Sequence, residues 1–284
     1  MPKNFLLKLS GRWIAGQKRS DAIERAKRLN RLGIHAVINY LGEHYKHLSL
    51  VEQAEKEYLH LISGIKKLGL NASVSVKLSE LGLDFSKKLC RKELGAILEK
   101  AQKKNVFVWL DMEGHSFTEK TIEIYLHFLP FFGNLGITIQ SSLKRSARDI
   151  KTLLRVREAK IRLVKGAYLE PEKLAFKNKA EIRAKFSELM HLLFSHQNYF
   201  AIATHDLRLI EEAKSVAKAF SGKKEGFEFQ MLMGIKNRLK KSLAKQGYKV
   251  TEYVPYGKNW LPYIKRRLLE RRSNILYAIK SIFE

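Results

Sequence analysis

Short β-branched or aromatic runs alternate with amphipathic stretches along this chain, and the two periods, two and 3.6, identify strands and helices in turn. The runs are IHAVINY (34–40), ASVSVKL (72–78), NVFVWLDM (105–112), LGITIQ (135–140), IRLVKGA (161–167), YFAIAT (199–204), GFEFQM (226–231) and YKVTEYV (248–254). Each leads into a helical pattern such as EKEYLHLISGIKKLG or RAKFSELMHLLFSH. Eight strand–helix units at a spacing of about 25 to 40 residues predict an α/β fold closed as a (βα)8 TIM-type barrel. An open doubly wound sheet is the competing layout, but no GxGxxG follows the first run. SDAIERAKRLNRL (20–32) predicts an extra helix before the first strand, with Ser20 as N-cap. This divides the chain into an N-terminal helical arm, 1–32, and a barrel, 33–284.

Within four runs the alternation separates two faces. Val74, Val76 and Leu78 oppose Ser73, Ser75 and Lys77; Val106, Val108, Leu110 and Met112 oppose Phe107, Trp109, Asp111 and Glu113. LGITIQ sets Thr138 and Gln140 apart, and GFEFQM sets Glu228 and Gln230 against Phe227, Phe229 and Met231. If the apolar sets meet the helix ring, the mixed sets line the barrel axis. Their polar members sit towards the C-terminal strand ends, where barrel sites are built. Single polar residues there are ordinary rim residues; recurrence in four strands favours a polar pocket.

The fifth run adds charge, since RLVKGAY (162–168) carries Arg162 and Lys165 on an otherwise apolar strand. Hiding such cations without partners costs several kcal/mol, so a carboxylate or an anionic cofactor is expected beside them. Strand parity leaves the direction of Lys165 open. In YIKRRLLE, spacings of three and four align Tyr263, Arg266, Arg267 and Glu270 on one helical surface. Two cationic forks can clamp a carboxylate and an acid one turn on can meet an ammonium, a combination suited to an amino acid. Taken alone, the same pattern also describes a solvated salt-bridged helix face.

With 54 Lys and Arg against 28 Asp and Glu, the net charge of +26 implies a polyanionic neighbour, nucleic acid or anionic membrane. Cys90 is the sole cysteine, which excludes an intrachain disulfide and points to a reducing, cytoplasmic setting. The start does not read as a signal peptide. TIEIYLHFLPFFGNLGITI (121–139) is interrupted by Glu123, His127, Pro130 and two glycines, and reads as a helix followed by a strand.

Nine strings together make the chain resemble the flavin-dependent proline dehydrogenase family. They are NYLGE (39–43), SVKLS (75–79), DMEG (111–114), TIQSSL (138–143), RLVKGAY (162–168), ATHD (203–206), EFQML (228–232), YVPYG (253–257) and YIKRRLLE (263–270). The resemblance implies a distorted (βα)8 barrel that binds FAD over the C-terminal strand ends and oxidises L-proline to Δ1-pyrroline-5-carboxylate. It implies that Arg266 and Arg267 hold the proline carboxylate, that Glu270 and Lys77 surround the amine, and that Asp111 lies near the substrate. Leu163, Tyr168, Leu232, Tyr253 and Tyr263 would enclose the ring. Gln140, Arg162, Val164, Lys165, Gly166, Ala167, Thr204, His205, Asp206, Gln230 and Glu270 would contact FAD. Two positions depart from the family pattern: Asp206 stands where asparagine is usual, and Arg271 follows Glu270 in place of another asparagine.

The family passes electrons to a quinone or another acceptor. Residues 236–284 hold 13 Lys and Arg against Glu252, Glu270 and Glu284, which suits peripheral docking on an anionic membrane, aided by Phe5, Leu6, Leu7, Leu9 and Trp13. A soluble lysine-rich surface explains the same charge. Two rival functions stay open, an oxidoreductase acting on hydroxyproline or another cyclic amine, with Tyr253 as the discriminating residue, and a basic nucleic-acid-binding protein. Nucleic acid is the less expected partner, because the basic residues are spread along the chain.

Overall fold

The computed structural model describes residues 11–196, 198–219 and 226–269. Helix α1 (Arg19–Asn30) precedes eight strands: β1 (His35–Tyr40), β2 (Ala72–Val76), β3 (Val108–Leu110), β4 (Leu135–Gln140), β5 (Ile161–Val164), β6 (Phe200–Ala203), β7 (Phe227–Leu232) and β8 (Val250–Tyr256). Between them lie α2 (Leu48–Lys67), α3 (Lys87–Lys104), α4 (His115–Phe128), α5 (Ser146–Leu153), α6 (Lys179–Phe194), α7 (Leu207–Ala219) and α8 (Asn237–Lys245), and α9 (Trp260–Leu269) follows β8. The strands pair in parallel in sequence order and close through β1 and β8. The eight-unit barrel expected from the alternation is therefore the fold. Several strands are shorter than their apolar runs, and β3 keeps only three residues. Alternation continues in the loops, where residues leave the ladder to face the site.

Side-chain parity divides the molecule as the period-two reading expects. Val74, Val76, Val108, Leu110, Ile137, Ile139, Phe227 and Phe229 belong to the main core between sheet and helices. Inside the barrel, Val37, Trp109 and Ala201 form a separate apolar layer with Phe107, Tyr199 and Tyr253 packed against it. A Cβ at Gly136 would meet the Trp109 ring, so glycine makes room there for the largest interior side chain. This layer makes a dry floor and leaves the later, polar residues of each strand above it.

Helix α1 buries Ala22, Ile23, Ala26 and Leu29 in the main core. It begins at Arg19, and the Asp21 carboxylate accepts the Lys18 N–H at 2.9 Å, so Ser20 is not its N-cap. A buried ion cluster on the outer face of β8 also fixes it: Glu252 accepts from Arg25 at 2.7 Å and from Lys240. Trp13 is buried with Ile14, Leu41, Trp260, Tyr263 and Ile264. That packing removes it from any membrane-facing surface; Phe5, Leu6, Leu7 and Leu9 lie outside the described residues. Among the described residues no helix is long and apolar enough to cross a membrane.

Candidate active site

The polar residues above the Trp109 floor form one hydrogen-bonded column centred on Arg162. Its Nε donates to Thr138 Oγ1 at 2.8 Å, Nη1 to Gln230 Oε1 at 3.3 Å, and Nη2 to Ser75 Oγ at 2.9 Å and to Asp111. The guanidinium lies 5.1 Å from the Trp109 ring and 5.8 Å from the Tyr253 ring, which adds cation–π attraction. The second Asp111 oxygen accepts the Tyr253 hydroxyl at 2.6 Å. Five strands thus converge on one buried cation, and the acceptor expected beside Arg162 is Asp111.

Lys77, just past the end of β2, is buried with its Nζ 3.3 Å from Asn39 Oδ1 and 3.8 Å from Asp111 Oδ2. From α9, Arg266 Nη1 donates to both oxygens of Glu43, at 2.7 and 3.0 Å, and its guanidinium stacks 5.1 Å from the Tyr168 ring. Burial opposes the Glu43 charge, but the Arg266 fork outweighs it and holds the carboxyl below its ordinary range. Arg267 stacks 5.5 Å from the Tyr263 ring. A cavity of about 590 Å³ opens between the β1–α2 and β8–α9 loops, with Glu43, Tyr45, Lys77, Trp260, Tyr263 and Arg266 among its lining. Lys77, Tyr263 and Arg266 thus share one small-molecule-sized space.

Leu163 faces the helix layer within the main core, on the opposite side of β5 from Arg162, because parity turns alternate residues outward. That orientation removes it from the set expected to enclose a substrate. Leu232 pairs with Tyr253 in the β7–β8 register, and its N–H donates to His205 Nε2 at 2.9 Å. Glu270 lies outside the described residues, as does Arg271.

The residues expected on the cofactor side gather at the ends of β4 to β7. Gln140 donates to the Glu113 carbonyl at 3.0 Å, and Gln230 is fixed between Arg162 and Glu228, to which its Nε2 donates at 2.7 Å. Half-buried Val164 ends β5 beside Gln140. Lys165 turns to the Asp206 carboxylate, 2.7 Å away, which answers the question its strand parity left open. Arg183 Nε reaches the same oxygen at 2.8 Å. Burial raises the Asp206 pKa, but these two cations more than offset it and hold the carboxyl at about 2. Thr204 Oγ1 accepts the Asp206 N–H at 3.2 Å. Gly166 has φ +112°, a conformation L side chains rarely adopt, and a Cβ there would collide with the Ser142 hydroxyl. With half-buried Ala167 it forms a bare backbone segment between Lys165 and Tyr168.

Glu43 is the site residue that sequence reasoning missed as a participant, although NYLGE contains it. Its partner is 223 residues away and no local periodicity links the two. The donor-rich rim of Gln140, Arg162, Lys165 and Thr204, with the side-chain-free segment at Gly166, fits a large cofactor bearing ring carbonyls and phosphates.

The proline dehydrogenase family model matches residues 22–276. Proline dehydrogenase 1 of Bacillus subtilis (strain 168) is 39% identical over 273 residues, covering 96% of this chain and 90% of that protein. Proline dehydrogenase of Deinococcus radiodurans is 34% identical over 281 residues, covering 97% and 90%. Among solved structures, proline utilization A (PutA) from Bdellovibrio bacteriovorus, inactivated by N-propargylglycine, superposes with a TM-score of 0.88 at 26% identity over 94% of this chain. The chain spans about a third of that longer protein, 33%.

Proposed function

The chain belongs to the proline dehydrogenase family, and on that premise we propose that it oxidises L-proline to Δ1-pyrroline-5-carboxylate with FAD as cofactor and a quinone-type electron acceptor. The observation that carries the reading is the pairing, at one barrel mouth, of a carboxylate-binding fork on α9 with the buried Lys77–Asp111–Arg162 group.

Arg266 and Arg267 bind and orient the substrate carboxylate, with Arg266 exchanging Glu43 for the substrate. Tyr168, Tyr253, Tyr263 and Leu232 pack the ring and exclude water. Lys77 and Asp111 lie where the substrate amine comes to rest, and Glu270 is assigned to the same amine. Deprotonation of the ammonium leaves a nitrogen lone pair to drive loss of hydride from C5, and the Lys77 charge nearby favours that deprotonation. FAD, when bound, supplies the hydride acceptor. Gln140, Arg162, Val164, Lys165, Gly166, Ala167, Thr204, His205, Asp206 and Gln230 would hold it, with Arg162 as the fixed cation that stabilises negative charge accumulating in a reduced ring.

Incubation with L-proline, FAD and a soluble quinone, followed by trapping of the cyclic imine, tests the reading. Imine stoichiometric with quinone consumed is the expected result; its absence with proline but appearance with hydroxyproline transfers the assignment to that amine. Peripheral docking on anionic membrane now rests on the basic residues of 236–284 and no longer on Trp13. Co-sedimentation with anionic liposomes at low salt, lost at high salt, is expected.

A further inference from the structure

Next to Lys77 lies a buried polar chain that the reaction above does not use. Lys77 Nζ donates to Asn39 Oδ1 at 3.3 Å. The Asn39 amide is locked in that orientation, because its Nδ2 donates to the Ser75 carbonyl at 2.9 Å and to the Tyr58 hydroxyl at 3.3 Å. Tyr58 Oη lies 3.1 Å from Glu80 Oε2, which also accepts the Lys77 backbone N–H at 3.3 Å. Asn39, Tyr58 and Glu80 are all fully buried, and Glu80 Oε1 has no hydrogen-bond partner among the described residues. A buried carboxyl with one oxygen unmatched is poorly suited to carry charge.

Tyr58 has one proton and three acceptors within reach of it, Glu80 at 3.1 Å, the Ser75 carbonyl at 2.9 Å and, more distantly, the Tyr40 carbonyl at 3.4 Å. A neutral Glu80 donates to Tyr58 and leaves the Tyr58 proton on Ser75; an ionised Glu80 takes that proton instead. The carboxyl thus has two hydrogen-bonded states, each transmitted to Asn39 and so to Lys77.

We propose that Glu80 is a positioning residue for proline oxidation, acting through Tyr58, Asn39 and the Lys77 backbone to set the field that Lys77 presents to the substrate amine. The proposal rests on the assignment of Lys77 to that amine. Groups facing Glu80 are Tyr58 from α2, Tyr40 and Tyr45 from β1 and its following loop, Lys77 from the end of β2, and Glu113 from the β3–α4 connection. Burial pushes the Glu80 carboxyl up to about 8, with Lys77 opposing, Glu113 adding to the push and Tyr58 to the opposition. Below that pH Glu80 is neutral and the full Lys77 charge favours loss of the amine proton. Above it the carboxylate cancels part of that charge, and the amine holds its proton more tightly.

The test is the pH dependence of kcat/KM for L-proline with the FAD-loaded protein. Wild type should show its rise with pH slacken near 8. Glu80→Gln should rise without that inflection and exceed wild type by about fivefold at high pH, an order-of-magnitude expectation for one partly screened charge. Tyr58→Phe removes a bond that favours the carboxylate, so its inflection should move to higher pH. Cyclopentanecarboxylate has the ring and carboxylate but no amine, and should bind wild type and Glu80→Gln equally at every pH. Superimposable profiles for all three proteins would overturn the proposal, as would loss of cyclopentanecarboxylate binding in Glu80→Gln, the mark of a structural role. A wild type that oxidises no L-proline overturns the reaction assignment instead.

Discussion

Glu43 occupies the Arg266 fork with both carboxylate oxygens, at 2.7 and 3.0 Å, so the residue assigned to hold a substrate carboxylate already holds one from the protein. Binding is therefore an exchange. Arg266→Ala should raise KM for L-proline by about 100-fold, the order expected for loss of a charge-assisted double hydrogen bond. Glu43→Gln, which removes only the competitor, should change KM by less than about 10-fold. In the substrate-free protein the two residues should show a coupling of about 1 kcal/mol in a double-mutant cycle, because the pair is only partly buried.

Asp111 is the sole carboxylate in contact with the Arg162 guanidinium among the described residues. Asp111→Asn should leave a buried cation without its counter-charge and destabilise the protein by about 3 kcal/mol or more, read by urea unfolding. Tyr253→Phe removes one hydrogen bond to the same carboxylate and should cost about 1 to 2 kcal/mol.

Asp206 gives an acid-stability signature. Its carboxyl is held at about 2 against an ordinary 3.8, so the folded state favours the ionised form. Stability from this group is fully present above pH 4 and is lost as pH falls through the folded value. With solvent screening of this partly open site, the contribution is about 1 kcal/mol. Asp206→Asn should flatten the fall in unfolding free energy across that acid window while leaving its slope near neutrality unchanged.

Much of this arrangement was legible in the alternation. Ser75, Asp111, Thr138 and Gln230 were set on the axis by period two, and all four meet at Arg162. Other parts had no local signal. Asn39 lies on the first strand, Tyr58 on a helix whose other buried residues face the core, and Glu80 in the turn after β2; their contact is created by the packing of that helix over the paired β1 and β2. The orientation of Lys165 was indeterminate for a different reason, because β5 ends at Val164 and alternation has no force in the loop beyond it. Leu163 was placed by resemblance among the substrate contacts, although its own strand parity opposes Arg162.

The segment that follows β5 depends on backbone conformation. Gly166→Ala should destabilise the protein by about 1 to 3 kcal/mol and weaken FAD binding, because φ +112° is strained for any side chain. Adding Ser142→Gly removes the collision but not the strain, so FAD affinity measured by fluorescence titration should recover only in part.

The central claim, that this barrel mouth passes hydride from proline to a bound flavin, is tested most directly by the absorption spectrum of the FAD-loaded protein before and after anaerobic L-proline. The account predicts bleaching of the oxidised flavin bands by L-proline, and loss of that bleaching at low proline in Arg266→Ala. A bound flavin that stays oxidised in saturating L-proline would contradict it.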